Sequence, residues 1–302
     1  MRFLVTGAGG QLGYDVLRAL AARGHEGVGC DLEAALSTLA GDPAMAGIRL
    51  APLDITDADA VSRMLNETKP DAVIHCAAWT NVDLAEECEA QARVVNADGT
   101  RHIAKACTET GCKMTYISTD YVFDGQGERP WQPDGEPYAP LNVYGQTKLE
   151  GEMAVRELLE RFFIVRIAWV FGVHGKNFIK TMIGAGKTRS AVTVVCDQIG
   201  TPTYTADLAR LLIDMAETEK YGCYHVTNEG GYVSWYEYCR EFYRQYGLDT
   251  EVIPVTTAEY GKSKAARPAN SRLDRWKIVE AGFEPLPDWR DAVRRYLKEA
   301  DL

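Results

Sequence analysis

The sequence predicts an α/β protein: a doubly wound parallel sheet over residues 1–170, then a smaller second region over residues 171–302. Three observations carry this reading. Short apolar runs alternate with amphipathic stretches through the first part, a glycine-rich turn joins the first run to the first helix, and the alternation stops near Val170. The expected strands are Phe3 to Thr6, Gly27 to Cys30, Ala72 to His75, Met114 to Ser118 and Phe163 to Val170, each rich in Val, Ile, Phe or Tyr. The expected helices between them are Leu12 to Ala22, Ala58 to Thr68, Ala90 to Thr110 and Asn142 to Arg161. Continuous apolar strands separated by helices imply a sheet covered on both faces. Beyond Val170 the chain carries loops such as Gln198-Ile199-Gly200-Thr201-Pro202 and Arg267-Pro268, with some segments expected to return to the first domain. Two late helices are expected at Ser234 to Tyr246 and Trp289 to Ala300. The stripe Trp235, Tyr236, Tyr238, Phe242 and Tyr243 reads as core packing with no ligand role.

Composition narrows the function. With 46% apolar and 25% charged residues in 302, the chain is globular rather than disordered. A formal net charge of −10 argues against nucleic acid as a partner, while leaving room for one small anion held locally. No run approaches the roughly 18 apolar residues of a membrane helix, and Met1 leads straight into Phe3-Leu4-Val5 without a signal-like region, so a cytoplasmic protein without a membrane partner is expected. The eight cysteines are scattered without a CxxC pair, and reduced buried thiols are expected.

Thr6-Gly7-Ala8-Gly9-Gly10-Gln11-Leu12-Gly13 follows the first strand and opens a helix. Glycines there permit positive φ and let backbone approach a pyrophosphate, whose charge the helix N-terminus favours. Asp31 ends the second strand, where a carboxylate can accept hydrogen bonds from both hydroxyls of an adenosine ribose. No cation follows in Leu32-Glu33-Ala34, so NADH is expected to be preferred over NADPH. Asp54-Ile55 suits either a contact with the adenine edge or, for Asp54, a helix cap.

Tyr144-Gly145-Gln146-Thr147-Lys148 places a phenol and an ammonium on one helical face. A phenol ordinarily titrates near pH 10, and a neighbouring cation is expected to lower that value so that Tyr144 can protonate a developing alkoxide.

Gly7-Gly10-Gly13, the run Ser118-Thr119-Asp120-Tyr121-Val122-Phe123-Asp124-Gly125 and the YxxxK pair together resemble the extended short-chain dehydrogenase/reductase family over nearly the whole chain. The runs Cys76 to Asp83, Val165 to Gly172 and Asp197 to Thr203 are similar to its branch acting on dTDP-4-keto-6-deoxy-L-sugars. The resemblance implies a Rossmann-type fold with a C-terminal sugar-nucleotide domain, and NAD(P)H-dependent reduction of the C4 keto group of dTDP-4-dehydro-L-rhamnose. It makes Thr119 the hydroxyl on the carbonyl, Tyr144 the acid and Lys148 its partner on the nicotinamide ribose. The cofactor would meet Gly7, Gly10, Gln11, Leu12 and Gly13 at the pyrophosphate, Asp31 at the ribose, Asp54 and Ile55 at the adenine, and Ala77, Ala78, Trp79 and Thr80 at its middle. Asn96 would lie behind it, or else cap a local turn.

For the substrate, the resemblance points to Thr119, Asp120 and Trp169 near the sugar, and Asn177, Phe178, Gln198, Thr201 and Arg267 around the nucleotide. Arg267 equally suits a surface ion pair, and Trp169 core packing. Some members of the branch form a magnesium-dependent dimer with a glutamate where Asp15 stands. Asp15 reads as a first-turn helix acid, and no metal is assigned. An isologous homodimer rests on family analogy alone. Two other activities share this pattern: a sugar-nucleotide 4-epimerase or other 4-ketoreductase, and a noncatalytic nucleotide-binding regulator, against which the intact Thr119, Tyr144 and Lys148 argue.

Overall fold

A computed structural model describes residues 1–302 apart from 136, 137, 262 and 301. Apolar residues alternate so that both faces of each central strand are buried. In β1 (Arg2–Thr6), Phe3 and Val5 face one core while Leu4 faces the other. The chain continues through α1 (Gln11–Ala22), β2 (Glu26–Asp31), β3 (Arg49–Pro52), α2 (Ala58–Thr68) and β4 (Ala72–His75). It then runs through α3 (Gly99–Thr110), β5 (Lys113–Thr119), α4 (Val143–Leu158) and β6 (Phe162–Ile167). β3 was not among the expected strands, because it is short, half exposed and closed by Pro52, as an edge strand tolerates. Helical structure leads into α3 from Glu89 through a π-helical turn at Val94–Asp98, where one unbroken helix was expected. The single strand expected from Phe163 to Val170 is interrupted at Trp169, whose φ is 51°, before a two-residue strand Val170–Phe171.

The longer elements that follow are α5 (Phe178–Gly186), β7 (Ala191–Val195), α6 (Thr205–Ala216), β8 (Gly222–His225), α7 (Trp235–Tyr246), β9 (Glu251–Val255) and α8 (Trp289–Glu299), with shorter strands and helical turns between them. β8 returns to the large sheet, whose seven parallel strands run β8-β6-β5-β4-β1-β2-β3. α1 and α6 cover one face with Leu17, Leu20, Leu208 and Leu212, and α2, α3 and α4 cover the other with Leu65, Ile103 and Val155. A separate core joins Ile179, Ile183, Val192, Val194, Tyr238, Phe242 and Trp289, beside the parallel pair β7 and β9. The strand order reverses between β1 and β4, which leaves a crevice at their C-terminal ends.

Candidate active site

A cleft of about 630 Å3 opens at that crevice. Its phosphate-sized end is the turn after β1. Gly7 has φ 71°, and a Cβ there would sit 2.6 Å from the Ala77 backbone nitrogen; a Cβ on Gly13 would sit 2.1 Å from the Gly7 oxygen. Neither position has room for a side chain against this backbone, so glycine is what lets the turn pack so closely at the N-terminus of α1, an end that favours an anion. Asp31 is already oriented: Oδ2 accepts from the Gly9 amide at 3.0 Å and Oδ1 from the Leu32 amide at 2.8 Å. These features fit a dinucleotide.

Gly7, Gly10, Gln11, Leu12, Gly13, Asp31, Asp54, Ile55, Ala77, Ala78 and Thr80 all line this cleft. Asp54 does not cap α2, since Asp57 accepts from the Ala60 amide there; Asp54 instead closes its own turn onto Thr56. Trp79 and Asn96 stand behind the lining. Fully buried Asn96 accepts from the Trp79 amide at 2.8 Å and donates to the Trp79 carbonyl at 3.2 Å and to Thr147 Oγ1 at 3.0 Å. The π-helical turn thus places a side chain that holds the loop after β4, rather than one that caps its own turn.

Thr119, Asp120, Tyr144 and Lys148 meet at the other end. Thr119 closes β5, and α4 brings Tyr144 and Lys148 alongside. Asn142 caps α4 by accepting from the Gly145 amide at 2.8 Å, and a Cβ on Gly145 would sit 2.2 Å from the Tyr121 carbonyl oxygen. Glycine inside YxxxK is what lets this helix touch the Asp120–Val122 turn.

The electrostatics differ from the expectation. Burial pushes the Tyr144 phenol well above its ordinary value; a hydrogen bond with Thr119 opposes this, and the Asp120 charge adds to it. Lys148 is not among the groups that shift it. Its Nζ donates to the Ile117 carbonyl at 2.8 Å and lies 4.2 Å over the Tyr116 ring, and burial lowers its value to about 7. The i, i+4 spacing puts both residues on one face, but the ammonium is drawn towards β5. Burial also raises the Asp120 carboxyl to about 6, against the hydrogen bonds of Ser271 and Thr119.

The proposed substrate residues divide. Thr119, Asp120 and Trp169 line the cleft. Trp169 stacks on Trp235 with centroids 3.8 Å apart, and Trp235, read from sequence as packing alone, lines the cleft too. Phe178 meets the Trp235 ring edge-on, and Asn177 caps α5 while donating to Gln11 Oε1 at 3.1 Å. Asn177, Phe178, Gln198, Thr201 and Arg267 all lie outside the lining: Gln198 donates to Thr257, Thr201 to the Gly231 carbonyl, and Arg267 pairs with Asp83 at 2.8 Å. Arg267 therefore forms the ion pair, although it also lies near the cleft-lining Tyr121.

Asp15 is the fifth residue of α1 rather than a first-turn acid. It is buried, and accepts from Thr205 and Arg18, while Arg18 also pairs with Glu299. Among the described residues, no His, Cys, Asp and Glu cluster is arranged to hold a metal. The sequence reading missed a buried pair directly beneath the site: Arg166 holds both oxygens of Glu152 at 2.8 and 2.7 Å, and Ser118 donates to Glu152 at 2.6 Å. Glu152 lies four residues after Lys148, a spacing that a solvated helix face would show equally.

A family model described as the RmlD substrate binding domain matches residues 1–302. The spore coat polysaccharide biosynthesis protein SpsK of Bacillus subtilis is 38% identical over 99% of this chain and 97% of its own. A dTDP-4-dehydrorhamnose reductase of Streptomyces griseus is 42% identical over 97% of this chain and 91% of its own. Among solved structures, that of dTDP-4-dehydrorhamnose reductase from Bacillus anthracis in complex with NADP is similar at a TM-score of 0.87 and 38% identity, covering 99% of both chains. With the family model spanning the whole chain and these relatives matching it nearly end to end, the protein belongs to the RmlD substrate binding domain family, within the extended short-chain dehydrogenases/reductases.

Proposed function

We propose that the protein reduces the C4 keto group of dTDP-4-dehydro-L-rhamnose to give dTDP-L-rhamnose. The observation that carries this reading is the convergence of Thr119, Tyr144 and Lys148 in the same cleft as the glycine turn and Asp31. When bound, a reduced nicotinamide dinucleotide supplies the hydride. Gly10 to Gly13 would hold its pyrophosphate and Asp31 its adenine ribose. Thr119 and Tyr144 hydrogen-bond the sugar C4 oxygen, and Tyr144 gives that oxygen its proton. Lys148 holds the ribose next to the reacting carbon, and Trp169 and Trp235 pack against the sugar nucleotide.

NADH is the preferred cofactor in this reading, because Lys148 is the sole cation among the described residues lining the cleft, and Asp31 would face a 2′-phosphate. A relative's structure contains NADP, so the ratio is a property of this chain to be measured. A cytoplasmic homodimer completes the proposal. Tyr144→Phe tests it: turnover is abolished while NADH still binds with nearly unchanged affinity. Loss of NADH affinity together with activity would remove the acid role from Tyr144.

A further inference from the structure

A parallel sheet gathers the N-termini of its strands at one end, here the end opposite the cleft. Arg2 opens β1, Asp71 precedes β4, Lys113 opens β5 and Arg161 precedes β6, and these four strands are neighbours in the order β6-β5-β4-β1. Lys69 joins them as the C-cap of α2, in the left-handed region at φ 44°. All five line a second cavity of about 680 Å3. Four cations against one carboxylate is a local reversal of sign in a chain whose formal net charge is −10.

Local roles account for part of this charge. Arg2 donates to the Thr68 carbonyl at 3.4 Å and Arg161 to the Gly111 carbonyl at 2.8 Å, at the C-terminal ends of α2 and α3. Lys113 Nζ donates to the Thr218 carbonyl at 2.8 Å, just beyond α6. A helix C-terminus carries roughly half a negative charge, so three of them together with Asp71 offset only part of four unit charges. Asp71 itself accepts the Arg2 backbone amide at 2.7 Å, and Glu219 acts on Arg161 from outside the lining without pairing with it. Among the described residues, none of the four cations forms an ion pair. Lys113 is only 7% exposed, and a lysine that deeply placed is ordinarily paired. Donors also remain: Arg2 spends one side-chain N–H and Arg161 two, the second on the Tyr221 hydroxyl, and Lys69 spends none among the described residues.

We propose that this cavity binds a compact phosphate-bearing anion, at a site separate from the reaction cleft and independent of the ketoreductase reading. The remaining guanidinium donors of Arg2 and Arg161 suit phosphate oxygens taken in forked pairs, and the ammonium groups of Lys69 and Lys113 add charge. No aromatic ring lines the cavity among the described residues, so a nucleotide base has no platform and recognition rests on the phosphates.

The test titrates inorganic pyrophosphate by calorimetry into the NADH-loaded protein at low ionic strength, with the glycine turn of the cleft already occupied. One equivalent binds, and Lys69→Gln combined with Arg161→Gln weakens it by roughly tenfold or more while leaving the affinity for NADH unchanged. Citrate, of similar charge but different geometry, binds roughly tenfold more weakly than pyrophosphate. Adenosine diphosphate binds no more tightly than pyrophosphate. An absence of binding, an unchanged affinity in the double variant, or citrate equal to pyrophosphate would each overturn the proposal, as would a clear gain from the adenosine base. Should the double variant not fold, Lys69→Gln alone removes a charge without removing a contact, and the backbone amide resonances of wild type give a second readout. Those of Asp71, Gly111 and Lys113 shift as pyrophosphate is added. Shifts confined to cleft residues such as Gly10 and Asp31 would place the anion there and overturn the proposal.

Discussion

Replacing Arg166 with methionine should be among the most damaging single changes outside the cleft. Both members of the Arg166–Glu152 pair are completely buried, and the guanidinium is also packed over the Phe123 and Tyr138 rings at 5.0 and 4.8 Å. Arg166→Met leaves the Glu152 carboxylate with a hydrogen bond from Ser118 and the more distant Arg156 at 3.8 Å. An uncompensated buried charge of this kind costs about 3–5 kcal/mol. Replacing Glu152 by leucine as well removes that charge, and leaves the Ser118 hydroxyl, the Pro133 carbonyl and His225 Nε2 without their partners in the pair, about 1 kcal/mol each. The double variant is therefore expected within about 3 kcal/mol of wild type and above the single variant, which loses the same two Arg166 contacts and carries the unpaired charge besides. Urea denaturation followed by tryptophan fluorescence measures all three. A single variant within 1 kcal/mol of wild type, or a double variant as unstable as the single, refutes the argument that the pair survives by mutual neutralisation.

Three further outcomes follow from the site. Asn96→Ala strands the Trp79 amide and carbonyl and Thr147 Oγ1 in the interior, and should raise the Kd for NADH by roughly tenfold in a fluorescence titration; an unchanged Kd would make Asn96 a purely structural residue. Asp31→Ala combined with Leu32→Arg removes the acid and adds a cation at the 2′ position, so the NADPH-to-NADH ratio of kcat/KM should rise at least tenfold, and a ratio that stays put would displace Asp31 from the ribose. Burial holds Lys148 at about 7 against 10.5 for the free side chain, so the unfolded chain binds more protons between these values and stability climbs as pH rises through that window. Lys148→Met should be more stable than wild type at pH 6 by roughly 2–5 kcal/mol, with the advantage shrinking towards pH 10; a less stable variant at pH 6 would contradict the buried-charge reading.

Much of the cofactor half was legible because each of its signals is local. The glycine turn must follow a strand and open a helix, and Asp31 must end the next strand, so short windows of sequence suffice. The parts that escaped notice depend on contacts between distant segments. Trp235 lines the cleft because Trp169 adopts positive φ and stacks on it, and nothing in an aromatic helix stripe announces such a partner. Glu152 and Arg166 look like ordinary charges until α4 is laid across β6. β8 was invisible because Gly222-Cys223-Tyr224-His225 is a four-residue edge strand with a glycine and a histidine instead of an apolar run. The Tyr144–Lys148 spacing was right about the shared face and wrong about the local charge, since spacing cannot reveal that the Ile117 carbonyl claims the ammonium. Asp15 misled for a related reason: its partner Thr205 is 190 positions away.

The most direct test of the central claim is nicotinamide oxidation by the purified protein, with dTDP-4-dehydro-L-rhamnose generated in place and the product identified by chromatography. The account predicts rapid oxidation, faster with NADH than with NADPH, with dTDP-L-rhamnose formed in equal amount. Absence of oxidation with either cofactor, while NADH binds and the substrate is present, would contradict it.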